Sequence, residues 1–170
     1  MNMRIALFIV VAALAGSAAQ ADDNMYAEVG VVPMKFSVGG GSVTPTVAVA
    51  RWGYDFTKNL GAEVTLATTL KGVTRNGETF KVDNAVGAYL KARTGVDAGG
   101  NVELFAKVGV VRTQLSVSDY GSASDNSFSY AAGLQYHFSK RFYGQIDYAS
   151  YYSKDGLNAT GPSLSFGVSF

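Results

Sequence analysis

The segment that closes the chain puts Pro162, Leu164, Phe166, Val168 and Phe170 on one side and Ser163, Ser165, Gly167 and Ser169 on the other. Unbroken period-two alternation is the pattern of a β-strand with one apolar face. It recurs upstream, most plainly as Phe128, Tyr130, Ala132, Leu134, Tyr136 and Phe138. A chain written this way is confined to sheets, because a period of two cannot keep one face of a helix apolar.

About eight such segments can be marked, each near the 9 to 11 residues that a tilted strand needs to cross a membrane. The apolar faces hold Ala27, Val29, Val31 and Pro33, then Ala48, Ala50, Trp52, Tyr54 and Phe56, then Leu60, Ala62, Val64, Leu66 and Leu70. Further on they hold Val82, Val86, Ala88 and Leu90, then Val102, Leu104, Ala106, Val108 and Val110, then Phe142, Ile146, Tyr148 and Tyr152. The opposite faces hold Glu28, Arg51, Asp55, Glu63, Lys71, Asp83, Lys91, Arg93, Glu103, Lys107, Gln135, His137, Gln145 and Asp147. A soluble sandwich would turn the apolar faces inward; a membrane barrel turns them outward. Alternation alone fits both.

An export signal, the terminal Phe170 and the aromatic strand ends decide for the barrel. Arg4, the apolar run 5–14 and Ala19-Gln20-Ala21 read as a cleavable signal helix over residues 1–21, leaving one domain over 22–170. The run is shorter than the roughly 20 residues of a spanning helix, and no later stretch offers about 18 apolar residues. Hydrophobic residues are nevertheless 48% of the chain and mean hydropathy is +0.11, which suits strands whose lipid face alternates with a polar lumen. There is no cysteine, so neither disulfides nor thiolate ligands contribute. Of the 14 basic residues Arg4 lies in the signal, and the rest balance the 13 acidic ones; no basic face suggests nucleic acid.

Connections alternate in length. Compact turns are expected at 57–59, 95–101 and 139–141, and longer polar loops at 37–43, 72–79, 117–126 and 153–161. With an even strand count both termini share the side of the short turns, placed here in the periplasm, with the long loops outside the cell. Tyr54, Phe56, Tyr136, Phe138, Phe142 and Phe170 would form one aromatic girdle, and Phe80, Phe128, Tyr130, Tyr151 and Tyr152 the other. Two hairpins repeat a unit: Tyr54-Asp55-Phe56-Thr57-Lys58 and Tyr136-His137-Phe138-Ser139-Lys140.

The signal, these Tyr-x-Phe-Thr/Ser-Lys turns and the terminal Leu164-Ser165-Phe166-Gly167-Val168-Ser169-Phe170 resemble the small outer-membrane β-barrel superfamily, which includes the OmpA-like membrane domain and the Opa-like porin-family barrels. The resemblance implies an all-β fold: an eight-stranded antiparallel up-and-down transmembrane β-barrel in the outer membrane of a Gram-negative bacterium. It implies recognition of the last strand by the barrel-assembly machinery, with Phe166, Val168 and Phe170 as the assembly signal. No peptidoglycan-binding domain is expected after Phe170, so an anchoring role of the two-domain kind is not implied.

A barrel of this size is just wide enough to be filled by side chains. Glu28, Arg51, Glu63, Lys91, Arg93, Glu103, Lys107 and Asp147 are therefore expected to pair as a continuous charge network that closes the lumen. Small residues on inward faces, among them Gly167, would make room for Tyr89, Phe105 and Tyr143. His137 and Ser139 share a strand face, as a lipid A-modifying hydrolase would need. The matching turn carries Asp55 in the histidine's place, so the slot serves the turn and no catalytic residue is expected. Asp119 and Asp125 are too few for a calcium site; no metal or cofactor is expected. The reading is a non-enzymatic structural or surface-exposed protein with four extracellular loops, a small porin being the alternative. Its partners would be outer-membrane lipids and lipopolysaccharide, the assembly machinery and an extracellular ligand of the loops.

Overall fold

The computed structural model describes residues 24–38, 41–75, 78–95, 101–117, 121–154 and 156–170. The expected signal, 1–21, lies outside the described residues. Eleven strands follow one another: β1 (Met25–Pro33), β2 (Lys35–Val38), β3 (Gly41–Val43), β4 (Thr46–Asp55), β5 (Leu60–Lys71), β6 (Val73–Arg75), β7 (Glu78–Gly95), β8 (Val102–Val117), β9 (Gly121–His137), β10 (Phe142–Lys154) and β11 (Leu157–Ser169). In space they make eight staves, because β2 prolongs β1, β3 leads into β4, and β6 prolongs β5. Each stave pairs antiparallel with its sequence neighbour, and β1 pairs with β11 to close the barrel. Closure leaves no free edge, so strand pairing satisfies the backbone that lipid cannot.

Faces follow the alternation. Val29, Trp52, Val64, Leu90, Val108, Tyr130, Leu134, Ile146, Leu164 and Phe166 all point out of the barrel, with Leu164 63% exposed. Glu63 and Lys91, one residue out of phase with Val64 and Leu90, are each 1% exposed. Ala48 and Ala50 are outward in phase yet buried. Ala50 is set between its cross-strand partners Val29 and Leu66, and Ala48 between Val31 and Thr68, so their short methyls sit below the surface of larger neighbours.

Three assignments of face are corrected by β-bulges, each of which inserts one residue and inverts the phase beyond it. The register skips Leu70 between Thr46/Lys71 and Val47/Thr69, and Lys71 is exposed rather than luminal. It skips Asp83 in β7, and Val82 is 1% exposed, inside the barrel rather than against lipid. It skips Tyr151 in β10, and Tyr151 and Tyr152 are both buried. The second girdle therefore lacks them: its described members are Phe128 and Tyr130, whose rings are 6.2 Å apart, while the Phe80 side chain lies outside the described residues. The first girdle holds Tyr54–Phe56 at 5.7 Å and Tyr136–Phe138 at 5.3 Å. Phe170 is not an exposed member of it. It lies past the end of β11, exchanges both backbone hydrogen bonds with Met25, and is only 8% exposed.

The stretches expected as long loops are mostly strand. The paired register runs out to Val38↔Gly41, Arg75↔Glu78, Val117↔Gly121 and Lys154↔Leu157. Serine- and glycine-rich sequence marked contact with water there, and a hairpin ladder still satisfies its backbone. β7, with 18 residues, and β9, with 17, are far longer than the roughly 9 to 11 needed to span. At the opposite end the turns are tight. Thr57 Oγ1 accepts the N–H groups of Asn59 and Leu60 at 3.2 and 3.0 Å. Ser139 Oγ accepts those of Arg141 and Phe142 at 3.3 and 3.1 Å. This shared device is the physical content of the Thr/Ser in the repeated unit. The turn at 96–100 lies outside the described residues.

Candidate functional site: a charged layer across the lumen

Inward charges from six staves meet in one layer across the lumen. Arg51 of β4 faces Glu28 of β1 directly. Its guanidinium donates to Glu28 Oε2 at 3.2 Å, Ser165 Oγ at 2.6 Å and Ser163 Oγ at 2.9 Å. It lies 3.5 Å from Asp147 Oδ1 and 3.8 Å from Glu63 Oε1. Lys107 donates to Glu63 Oε1 at 2.7 Å. Lys91 lies 3.5 Å from Glu28 Oε1 and bonds the side-chain carbonyls of Gln135 and Gln145 at 3.3 and 3.2 Å. Three cations thus face three carboxylates, Glu28, Glu63 and Asp147, and all six are buried.

Neutral groups take up many of the remaining valences, as burial of charge demands, while Arg51 Nε and Asp147 Oδ2 are buried without a hydrogen-bond partner. Tyr26 donates to Glu63 Oε2 at 3.1 Å and Tyr143 to Glu28 Oε1 at 2.9 Å. Ser163 donates to Asp147 at 2.9 Å, and Gln145 reaches both Asp147 and Glu28. Lys91 sits 4.7 Å from the centres of the Tyr26 and Phe105 rings, and Lys107 5.2 Å from that of Tyr89, geometry in which the ring quadrupole supplements the carboxylates.

The two remaining candidates fall elsewhere. Arg93 and Glu103 form a second cluster nearer the turns, where Arg93 pairs with Asp55 at 2.6 Å and approaches Glu103 at 3.8 Å. The single continuous network of ion pairs is therefore corrected to two clusters. Their link is a hydrogen bond of 3.1 Å between Gln135 and His137, which lies 3.5 Å from Glu103. Among the described residues no ion pair joins the two clusters. His137 thus serves Glu103 and Gln135 while Ser139 serves its turn.

Alternation missed Tyr26 and Ser163 as partners of the charges. Register would have found Tyr26: it lies opposite Gly53, and Tyr143 opposite Gly167. A Cβ on either glycine would overlap the tyrosine ring lying across it. Gly167→Val is accordingly expected to push the Tyr143 hydroxyl off Glu28. It should cost about 1–3 kcal/mol of overpacking, read as a lower urea midpoint in heat-modifiable gel mobility.

The lumen is not polar throughout. Toward the long hairpins Val32, Met34, Val47, Val49, Ala85 and Val111 point inward and cluster with Tyr89, Tyr151 and Tyr152. The buried charges lie in the half nearer the turns, and the other half adds only hydroxyls such as Thr65, Thr113 and Ser129 to its apolar lining.

A closed antiparallel barrel with an apolar exterior and charges paired within defines an integral outer-membrane barrel protein. The family model for the outer membrane protein beta-barrel domain matches residues 5–170, and the chain belongs to that family, whose members reside in the Gram-negative outer membrane. Among solved structures, the chain is similar to Ail, the attachment invasion locus protein of Yersinia pestis, in complex with the heparin analogue sucrose octasulfate. The identity is 22% with a TM-score of 0.65, covering 86% of this chain and 98% of that one. Neisserial surface protein A is similar at 15% identity and TM-score 0.70, over 86% and 97%. The N-terminal β-barrel domain of Pseudomonas aeruginosa OprF is similar at 12% identity and TM-score 0.61, over 86% and 98%. At these identities the likeness is one of fold. No curated protein matches the chain.

Proposed function

We propose that the chain is a non-enzymatic, non-conducting outer-membrane barrel that holds its hairpins at the cell surface. The observation that carries this is the layer of Arg51, Lys91 and Lys107 against Glu28, Glu63 and Asp147, drawn from staves all around the wall and buried. Ions crossing the lumen would have to separate charges paired at low dielectric. In this reading the short turns face the periplasm, the girdles sit among outer-membrane lipid and lipopolysaccharide, and the hairpin ends are available to an extracellular ligand. Phe166 and Val168, on the outer side of the last stave, and Phe170 would be read by the barrel-assembly machinery.

Planar-bilayer recording of the purified barrel tests the closure. The expected record is silent or shows brief, small events; steady large conductance would instead make the protein a small porin. A lipid A hydrolase centred on His137 is disfavoured by its position among Glu103, Gln135 and the turns. His137→Ala is expected to leave the acylation of lipid A unchanged, checked by mass spectrometry of lipid A from cells carrying either form.

A further inference from the structure

The one histidine of the chain stands where the two clusters meet. His137, on β9, faces Glu103 of β8 and the Tyr143 ring of β10, the two staves packed against its own. Arg93 of β7 and Asp55 of β4 reach it through Glu103, and Lys91 of β7 reaches it through Gln135. The side chains of His137 and Glu103 are 20% and 21% exposed, so water at the turn end can exchange protons with them.

The hydrogen bonds fix which imidazole nitrogen carries the proton. An ammonium group has donors only, and Lys91 Nζ donates to Gln135 Oε1 at 3.3 Å. The Gln135 oxygen is thereby committed, and its amide nitrogen is the atom that lies 3.1 Å from His137 Nε2. An amide nitrogen only donates, so Nε2 must accept: the ring is neutral, with its proton on Nδ1. The same bare Nε2 lies 3.5 Å from Glu103 Oε2, which is buried without a hydrogen-bond partner. Two acceptors face each other across that gap. A proton on Nε2 would give Glu103 the donor it lacks, and would set one N–H against another at Gln135.

We propose that His137 is a proton-operated latch between the turn-end mouth of the barrel and the charged layer. Neutral, it holds the Gln135 amide with the carbonyl on Lys91. Protonated at Nε2, it turns its bond to Glu103 and the Gln135 amide leaves it. Lys91 then keeps Gln145 and Glu28 and loses its fixed contact with Gln135. The proton comes from water at the turn end and stays on the ring, so no second group has to titrate. The latch operates in a silent or a conducting barrel, and its test is separate from the recording above.

The test is ¹⁵N NMR of the barrel purified from outer membranes, labelled in histidine and glutamine and held in phosphatidylcholine nanodiscs. With one histidine, the ring signals assign themselves. At about pH 8 Nε2 should give the signal of a bare nitrogen and Nδ1 that of a protonated one, and at about pH 5 both should be protonated. The Gln135 side-chain amide should shift along the same curve, while that of Gln114, bonded to Asn84, stays. Gln135→Met removes the donor, so at the higher pH the proton should move to Nε2, where Glu103 accepts it. Glu103→Gln withdraws the charge that favours the imidazolium, and protonation of the ring should need about tenfold more acid. In the wild type, a proton on Nε2 at the higher pH, or a Gln135 amide that ignores the titration of the ring, would overturn the latch. So would a ring unchanged by Gln135→Met, or an acid requirement unchanged by Glu103→Gln.

Discussion

Replacing Arg51 by methionine is expected to cost the folded barrel about 3–5 kcal/mol, the range for removing one partner from a buried ion pair. Methionine preserves much of the volume and removes the charge. The loss is large because Arg51 is shared: its guanidinium bonds Glu28 and two serines and lies within 3.5 Å of Asp147. Without it the layer holds three carboxylates against Lys91 and Lys107, and at least one carboxylate must protonate, admit water or move. Urea unfolding in lipid vesicles, followed by heat-modifiable mobility, reads the stability, and the same variant should conduct where the wild type is silent. Combining Arg51→Met with Asp147→Asn rebalances the layer at two against two. It should recover part of the loss, which a role of Arg51 in packing alone would not allow.

The exterior makes the second large prediction. Leu134 faces out from β9 and is 44% exposed, with Leu104 and Ile146 directly across on its two neighbours. An arginine on the lipid face near the bilayer midplane costs about 2–4 kcal/mol. Leu134→Arg should therefore lower the urea midpoint strongly, whereas Leu134→Ile should be nearly silent. In a soluble protein an arginine at an exposed strand position would cost close to nothing. The size of the effect thus separates the two environments.

The architecture was legible because every stave carries one lipid face, and a strict period of two survives in residues such as Phe128 to Phe138 without knowledge of pairing. What escaped did so for definable reasons. A bulge adds one residue and leaves no mark on composition, so the phase at Lys71, Val82 and Tyr152 was read from the wrong side. Between 47 and 50, inward Val47 and Val49 alternate with outward Ala48 and Ala50; all four are apolar, and the face is invisible in sequence. The apolar half of the lumen was hidden for the same reason. Charges of the right kind were visible, but the partners of Arg51 include Ser165, 114 positions away, and only register brings them together. The tyrosine–glycine pairs show that limit at its clearest: Gly53 and Gly167 look like breaks in a strand until the ring that crosses each is placed.

The central claim is that ionised side chains point inward while apolar ones meet hydrocarbon, and it can be read along a single stave. With no native cysteine, one spin label at a time can be set at positions 142–148 of β10 in reconstituted vesicles, and its collisions with dissolved oxygen measured. Oxygen accessibility should be high at Phe142, Ile146 and Tyr148 and low at Tyr143, Gln145 and Asp147. The reverse phase, or accessibility without a period of two, would contradict the account.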